Sequence, residues 1–273
     1  MEIKQTSQKI EISQKRYILD LLQRFGMQDC NPVATPMDKD TKLDKAVSSH
    51  GNQRQPYREL VGSLMYLAVA TRPDIAHAVG VLSQFNDCHA GIHWAAAKRV
   101  LRYLKGTINF SVSYRKSNDP AKIYVDADWG RCPVDRRSYT GFVITLSDGP
   151  ISWKSTKQRT VALSSTEAEY MALAEAVKDG IYLSGFLKEL GYATLSKLVV
   201  YSDNIGAQLL AKNPIVHPRT KHIDIRYHFL RDVLGRDMFV VKHLPTKYMT
   251  ADIFTKPLPK DKHYFCIRAL GIK

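Results

Sequence analysis

The sequence predicts an α/β protein: a mixed sheet with helices on its faces, preceded by a mostly helical module. Three observations lead there. Up to about residue 110, apolar residues recur in four blocks at helical spacing. Beyond it, short runs rich in β-branched and aromatic residues alternate with helical blocks, in the order of a three-strand meander followed by αβααβα. Finally, two of those strand-like runs end in aspartate, at Asp126 and Asp203.

The first module opens with MEIK and KIEI, which suit the two short strands of a hairpin. Residues 15–25 carry Tyr17, Ile18, Leu21, Leu22 and Phe25 on one helical face, and Gly26 can cap the end. Residues 27–55 are rich in Pro, Asp, Lys and Ser and read as a connector, with Pro32 and Pro36 as breakers. A second helix follows over 57–70. A third begins near Arg72-Pro73-Asp74, where proline suits a first turn, and runs through Phe85. In the fourth, over 93–104, apolar Trp94, Val100, Leu101 and Leu104 oppose Lys98, Arg99, Arg102 and Lys105. That basic face could track phosphates, and a solvated helix face is an equal reading.

The second half reads as strands over 110–114, 121–126, 141–146 and 151–154, with Ser147-Asp148-Gly149-Pro150 as a hairpin turn. A long helix over 165–190 ends at Gly191. Strand 198–202, a short helix over 205–211, a helix over 223–234, strand 238–243 and a final helix from about Thr250 complete the order. Trp129, Tyr139 and Phe142 read as core residues. The division falls at 116/117, giving 1–116 and 117–273 as the two domains.

Composition narrows the partners. In 273 residues, 44% are apolar and 24% charged, a globular balance without low-complexity tracts. A formal net charge of +14, spread over both halves, favours a polyanion such as nucleic acid over a merely basic surface. Four separated cysteines form no C-x-x-C pair, which argues against a zinc knuckle or a disulfide framework. No apolar run approaches membrane-spanning length and no signal-peptide pattern opens the chain, so a membrane partner and secretion are not expected. Met1 reads as an internal methionine of something longer.

Strand-forming residues ending in carboxylates need a reason, because a buried ionised carboxylate is costly unless it is paired or bound to a metal. Asp126 and Asp203, far apart in the chain, suggest one metal site assembled by folding. On the long helix, Glu169 lies four residues before Leu173 and eight before Val177, which puts it near the buried side. It is the candidate third ligand. Glu167 suits the helix start as a cap or dipole complement. Asp252 in KYMTADIFTKP reads by itself as a first-turn residue, and Asp128 as either a strand continuation or a turn former. Oxygen ligands without His or Cys suit Mg²⁺ or Mn²⁺. Two such ions about 4 Å apart catalyse in-line displacement at phosphorus.

The ordered segments IYVDADWG, RRSYTGFVI, ISWKSTKQRTVALSSTEAEYMAL, YSDN, NPIVHPRTKHIDIRYHF and PTKYMTADIFTKPL resemble the ribonuclease H domain of copia-type retrotransposon polyproteins. KIEISQKRYILDLLQRFGM, YRELVGSLMYLAVATRPDIAHAV and AAKRVLRYLKGT resemble the part of the same polyproteins that follows the reverse-transcriptase palm. The resemblance covers essentially the whole chain. It implies a ribonuclease H-like fold with a mixed five-stranded sheet, behind a helical module like a reverse-transcriptase thumb or connection. It also implies a four-carboxylate, two-ion site. Asp126 then matches the first-strand aspartate, Glu169 the glutamate of the long helix, Asp203 the aspartate after the fourth strand and Asp252 the one in the last helix. The implied reaction is hydrolysis of the RNA strand of an RNA–DNA hybrid, read by 2′-hydroxyls and shape.

Polymerisation is not expected, since the paired aspartates of a Tyr-x-Asp-Asp turn would precede Met1. His243 is read as part of its strand, and the product-release role of the loop histidine in cellular ribonucleases H is not assigned to it. Lys154 and Lys157, with Arg219, Lys221 and His222 before a helix, are candidates for backbone contacts beside Lys98 and Arg102. The competing reading is a non-catalytic nucleic-acid-binding remnant of a truncated polyprotein, with the missing reverse-transcriptase part supplied in trans. A transposase or integrase is disfavoured because position 238, where its last glutamate would fall, is Met. The resemblance implies a cytoplasmic particle or the nucleus as the setting.

Overall fold

In a computed structural model the chain forms two compact units. Residues 1–41, 43–44, 55–212, 229–230, 232–233 and 239–273 are described. The first unit holds residues 1–115, 133–135 and 256–273, and the second 116–132 and 136–255. Division by sequence kept 256–273 with the second domain, whereas their contacts belong to the first unit.

In the first unit, β1 (Glu2–Gln5) and β2 (Lys9–Ser13) form the expected hairpin, and β3 (Val112–Arg115) adds an antiparallel third strand to β2. Helices α1 (Lys15–Arg24), α2 (Tyr57–Ala70), α3 (Ala76–Ser83, after a 3₁₀ turn at Pro73–Ile75) and α4 (Gly91–Gly106) carry its apolar core. The C-terminal residues join this unit by backbone bonds: Ser111 N–H donates to the Lys273 carbonyl at 2.8 Å, and Lys273 N–H returns one at 3.1 Å. At its centre Arg72 and Asp74 are almost wholly buried and paired at 2.7 Å. Tyr103 donates its hydroxyl to Asp74 at 2.6 Å, and Thr107 Oγ1 lies 2.6 Å from the Arg72 guanidinium. Burial alone would raise the Asp74 carboxyl, but the charge and hydrogen bonds of Arg72 and the Tyr103 hydroxyl hold it below the usual range.

The second unit contains a five-stranded mixed sheet in the order β6-β5-β4-β7-β8. The strands are β4 (Ala121–Ala127), β5 (Tyr139–Leu146), β6 (Gly149–Lys157), β7 (Leu198–Ser202) and β8 (Phe239–His243). β4, β5 and β6 are antiparallel neighbours, and β4, β7 and β8 run parallel. Helix α5 (Ser165–Glu189) covers one face, and α6 (Ile205–Lys212) follows β7. Ile123, Val125, Phe142, Leu173, Val177 and Val200 lie in the core under α5. Gly180 permits that approach, because a Cβ there would lie 2.8 Å from Ile123 Cδ1. This is the α/β architecture, with a mixed five-stranded sheet, that the resemblance implies.

Two expectations change. The final helix does not begin at Thr250: a 3₁₀ turn spans Thr250–Phe254, and α7 (Lys260–Ala269) starts only after Pro257 and Pro259. Prolines lack the N–H that a continuous helix would use, so the segment breaks there. Trp129 is not core. It is 59% exposed, with its indole N–H tied back to the Ala162 carbonyl at 3.2 Å. Tyr139 and Phe142 are buried as expected. The helix expected over 223–234 lies almost wholly outside the described residues.

Candidate functional site

Topology gathers the acidic residues before any side chain is considered. β4 and β7 are parallel with Tyr124 opposite Tyr201, so Asp126 and Asp203 each lie two residues further on at the same end. β5 reverses direction and β6 reverses it again, so β6 also ends there, and α5 starts from that end. Carboxyl ends of parallel strands are where open α/β sheets place ligands.

The start of α5 is locally encoded. Ser164 is its N-cap, and its Oγ accepts the Glu167 N–H at 3.1 Å. Glu167 turns back to accept the Leu163 N–H at 2.8 Å, which makes it a capping residue. Glu169, two positions on, is buried at 6% exposure.

Asp126, Glu169 and Asp203 come together: one carboxylate oxygen from each lies within 4.8 Å of the other two. Asp126 is 2% exposed, and Asp203 is partly exposed. At that separation each pair of ionised carboxylates repels by about 3 kcal/mol for an effective dielectric constant near 20. A divalent cation converts that repulsion into attraction. Three hard oxygen donors with no His or Cys among them fit Mg²⁺ or Mn²⁺.

Asp252 is not a member of this three-residue group. It is buried in the 3₁₀ turn Thr250–Phe254, on the sheet face opposite α5, where that turn rests on β5. Asp128 continues the β4–β5 ladder, accepting the Tyr139 N–H on its carboxylate and donating its own N–H to the Tyr139 carbonyl at 3.2 Å. His243 ends β8 opposite Ser202, next to Asp203 in the chain.

The basic candidates separate into three groups. Lys154, Lys157, Arg159 and Lys178 line a groove of about 350 Å³ between β6 and α5, with Glu175 as its acidic residue. Lys154 pairs with Glu175 at 3.2 Å, and Lys157 Nζ lies 3.0 Å from Cys132 Sγ. On its floor Gln158 bridges Thr140 Oγ1 and the carbonyl of Ala168, the residue before Glu169. In the first unit, the basic face of α4 is occupied by the connector: Arg102 donates to the Asn31 carbonyl at 2.7 Å and Lys105 to the Cys30 carbonyl at 2.8 Å. Arg99 reaches Thr35 Oγ1 at 3.2 Å. Lys98 lies over the Trp94 ring at 5.9 Å. Arg219, Lys221 and His222 lie outside the described residues.

Comparison with known proteins adds the lineage. No family model matches the chain. It is 44% identical over 273 residues to the retrovirus-related Pol polyprotein from transposon TNT 1-94 of Nicotiana tabacum, covering 98% of this chain and 20% of that protein. The Pol polyprotein from transposon RE2 of Arabidopsis thaliana is 41% identical over 277 residues, covering 100% of this chain and 19% of its own. The chain belongs to the copia-type Pol polyproteins of retrotransposons. It spans about a fifth of the length of these Pol relatives. Among solved structures, an RNase H1 isolated from compost is 18% identical, with a TM-score of 0.39, over 50% of this chain and 92% of that one. No helix among the described residues of this Pol chain is long and apolar enough to cross a membrane.

Sequence reasoning missed four residues around the Pol cluster. Thr246 and Thr255 bond Asp203 and Asp126, and Gly141 and Ser155 hold the turn that carries Asp252. The available signal was weak: a threonine three residues after Asp252, and a glycine in an otherwise bulky strand.

Proposed function

We propose that this chain is a ribonuclease H: a divalent-metal-dependent endonuclease that hydrolyses the RNA strand of RNA–DNA hybrids. The observation that carries the reading is the convergence of Asp126, Glu169 and Asp203 within 4.8 Å, in a chain of net charge +14. In this reading the three residues, with Asp252 as the fourth, hold two Mg²⁺ ions, for which Mn²⁺ can substitute. The bound ions supply Lewis-acid stabilisation of charge at phosphorus and acidify a water. The protein's own share is positional. Parallel strands β4 and β7 set the heights of Asp126 and Asp203, and the capped start of α5 sets Glu169. Lys154, Lys157, Arg159 and Lys178 neutralise backbone phosphates beside the cluster.

The test is cleavage of an RNA–DNA hybrid, duplex DNA and single-stranded RNA by the full chain with Mg²⁺. Only the hybrid should be cut, in its RNA strand, and Asp203→Asn should abolish cutting. A hybrid left uncut both by the chain alone and with added reverse-transcriptase segments, or equal cutting by Asp203→Asn, ends the nuclease reading. Salt-sensitive hybrid binding without cutting selects the non-catalytic nucleic-acid-binding alternative, and restoration of cutting by added reverse-transcriptase segments would assign the missing part a role in trans.

A further inference from the structure

Two threonines on one segment reach two of the three clustered carboxylates. Thr246 Oγ1 donates to Asp203 Oδ2 at 2.7 Å, and Thr255 Oγ1 donates to Asp126 Oδ2. Both sit on residues 244–255, which run from the end of β8 through the turn carrying Asp252. The two settings differ. Thr255 is fully buried, whereas Thr246 is exposed.

The position of Thr255 is enforced from three sides. Ser155 Oγ donates to the Phe254 carbonyl at 2.6 Å. Thr255 N–H donates to the Asp252 carbonyl at 3.2 Å, closing the turn. Gly141, the register partner of Asp126, leaves the space that the turn occupies: a Cβ there would lie 2.6 Å from Thr255 Cγ2 and 2.7 Å from Phe254 Cβ. The bond to Asp126 is not needed to build β4, which already pairs with β5 and β7. The hydroxyl also lies 3.2 Å from the Asp252 carbonyl, within its own turn, and what it adds at Asp126 is orientation. The terminal torsion of aspartate is broad, so a hydrogen bond to one carboxylate oxygen narrows the range of planes it adopts. Fixed ligand planes raise metal affinity, and removing such outer partners typically costs 10–100-fold in binding.

We propose that Thr255, and more weakly Thr246, are positioning residues whose hydroxyls set the carboxylate planes of Asp126 and Asp203 for divalent-cation binding. This rests on the divalent-cation reading of the cluster. Segment 244–255 thereby braces two of the three clustered carboxylates at once. The exposed brace matters less because water can replace a hydroxyl there and cannot at the buried one.

The test is Mn²⁺ titration calorimetry on the full chain, with circular dichroism as the check on folding. Thr255→Val should bind Mn²⁺ about 10–100-fold more weakly than wild type, and Thr255→Ser within about threefold of it. Thr246→Val should weaken binding by about threefold to fivefold, with Thr246→Ser like wild type. Wild-type affinity in Thr255→Val, or equal weakening in Thr255→Ser and Thr255→Val, overturns the proposal while leaving the cation reading intact. Should Thr255→Val not fold, the Thr246 pair decides it: equal affinities in Thr246→Val and wild type overturn it. A wild-type chain that binds no Mn²⁺ overturns the cation reading and the proposal together.

Discussion

Replacing Gly141 by alanine tests whether the sheet and the Asp252 turn are as closely seated as the structure has them. The new Cβ would meet Thr255 Cγ2 at 2.6 Å, Phe254 Cβ at 2.7 Å and the Ala251 carbonyl oxygen at 3.2 Å. Two of the three atoms are backbone or the first atom of a side chain, so no flexible tip can swing away. Restoring ordinary contact, which begins at 3.4 Å, needs a retreat of about 0.8 Å by the turn. Overpacking of this kind costs about 1–3 kcal/mol. For a unit of this size that lowers the melting temperature by roughly 3–10 °C. The retreat also carries Thr255 away from Asp126, so on the nuclease reading hybrid cleavage should fall by about 10–100-fold. Gly185→Ala on α5 is the control, because nothing lies within 4 Å of its added Cβ. It should be neutral or stabilising by up to about 1 kcal/mol. Thermal melts and initial cleavage rates of the three proteins decide the matter. A Gly141→Ala protein that melts with wild type and cuts within about twofold of it would refute the seating described above.

Three further outcomes are expected. Burial pushes His263 down to about 4, from an ordinary 6.5. The unfolded chain therefore takes up this proton first, and stability present above pH 6.5 should be lost as pH falls towards 4, by about 3 kcal/mol in all. Urea unfolding at pH 7 and pH 5 should show that slope in wild type and not in His263→Gln; equal slopes would contradict it. Asp74→Ala strands the buried Arg72 charge and should cost about 3–5 kcal/mol in denaturant melts, and a loss under 1 kcal/mol would remove the pair from the core account. Each of Lys154→Ala, Lys157→Ala and Lys178→Ala should lower the slope of hybrid affinity against salt by about one, and unchanged slopes would take the groove off the nucleic-acid path.

Local patterns carried much of this protein. The helical spacing of Tyr57 to Ala70 matches α2 residue for residue, and Glu167, suited to a helix start, lies in the first turn of α5. The strands ending in Asp126 and Asp203 were legible as well, because a carboxylate closing an apolar run is a local anomaly. These features are written within a few residues of each other, where periodicity and capping act.

The rest depends on partners distant in the chain. Register set Asp126 and Asp203 at one height, and strand reversal brought Glu169 to them. The basic face of α4 read equally as a phosphate track or a solvated surface, until residues 30–35 supplied carbonyls and a hydroxyl for Arg99, Arg102 and Lys105. The proline-broken stretch after Thr255 separated Asp252 from the helix expected to carry it, and sent residues 256–273 into the first unit. The residue sequence by itself determined which side chains could do chemistry and where helices and strands begin. Only tertiary structure decided which of them meet, because hydroxyl-to-carboxylate bonds such as Thr255 to Asp126 span 129 positions and leave no periodic trace.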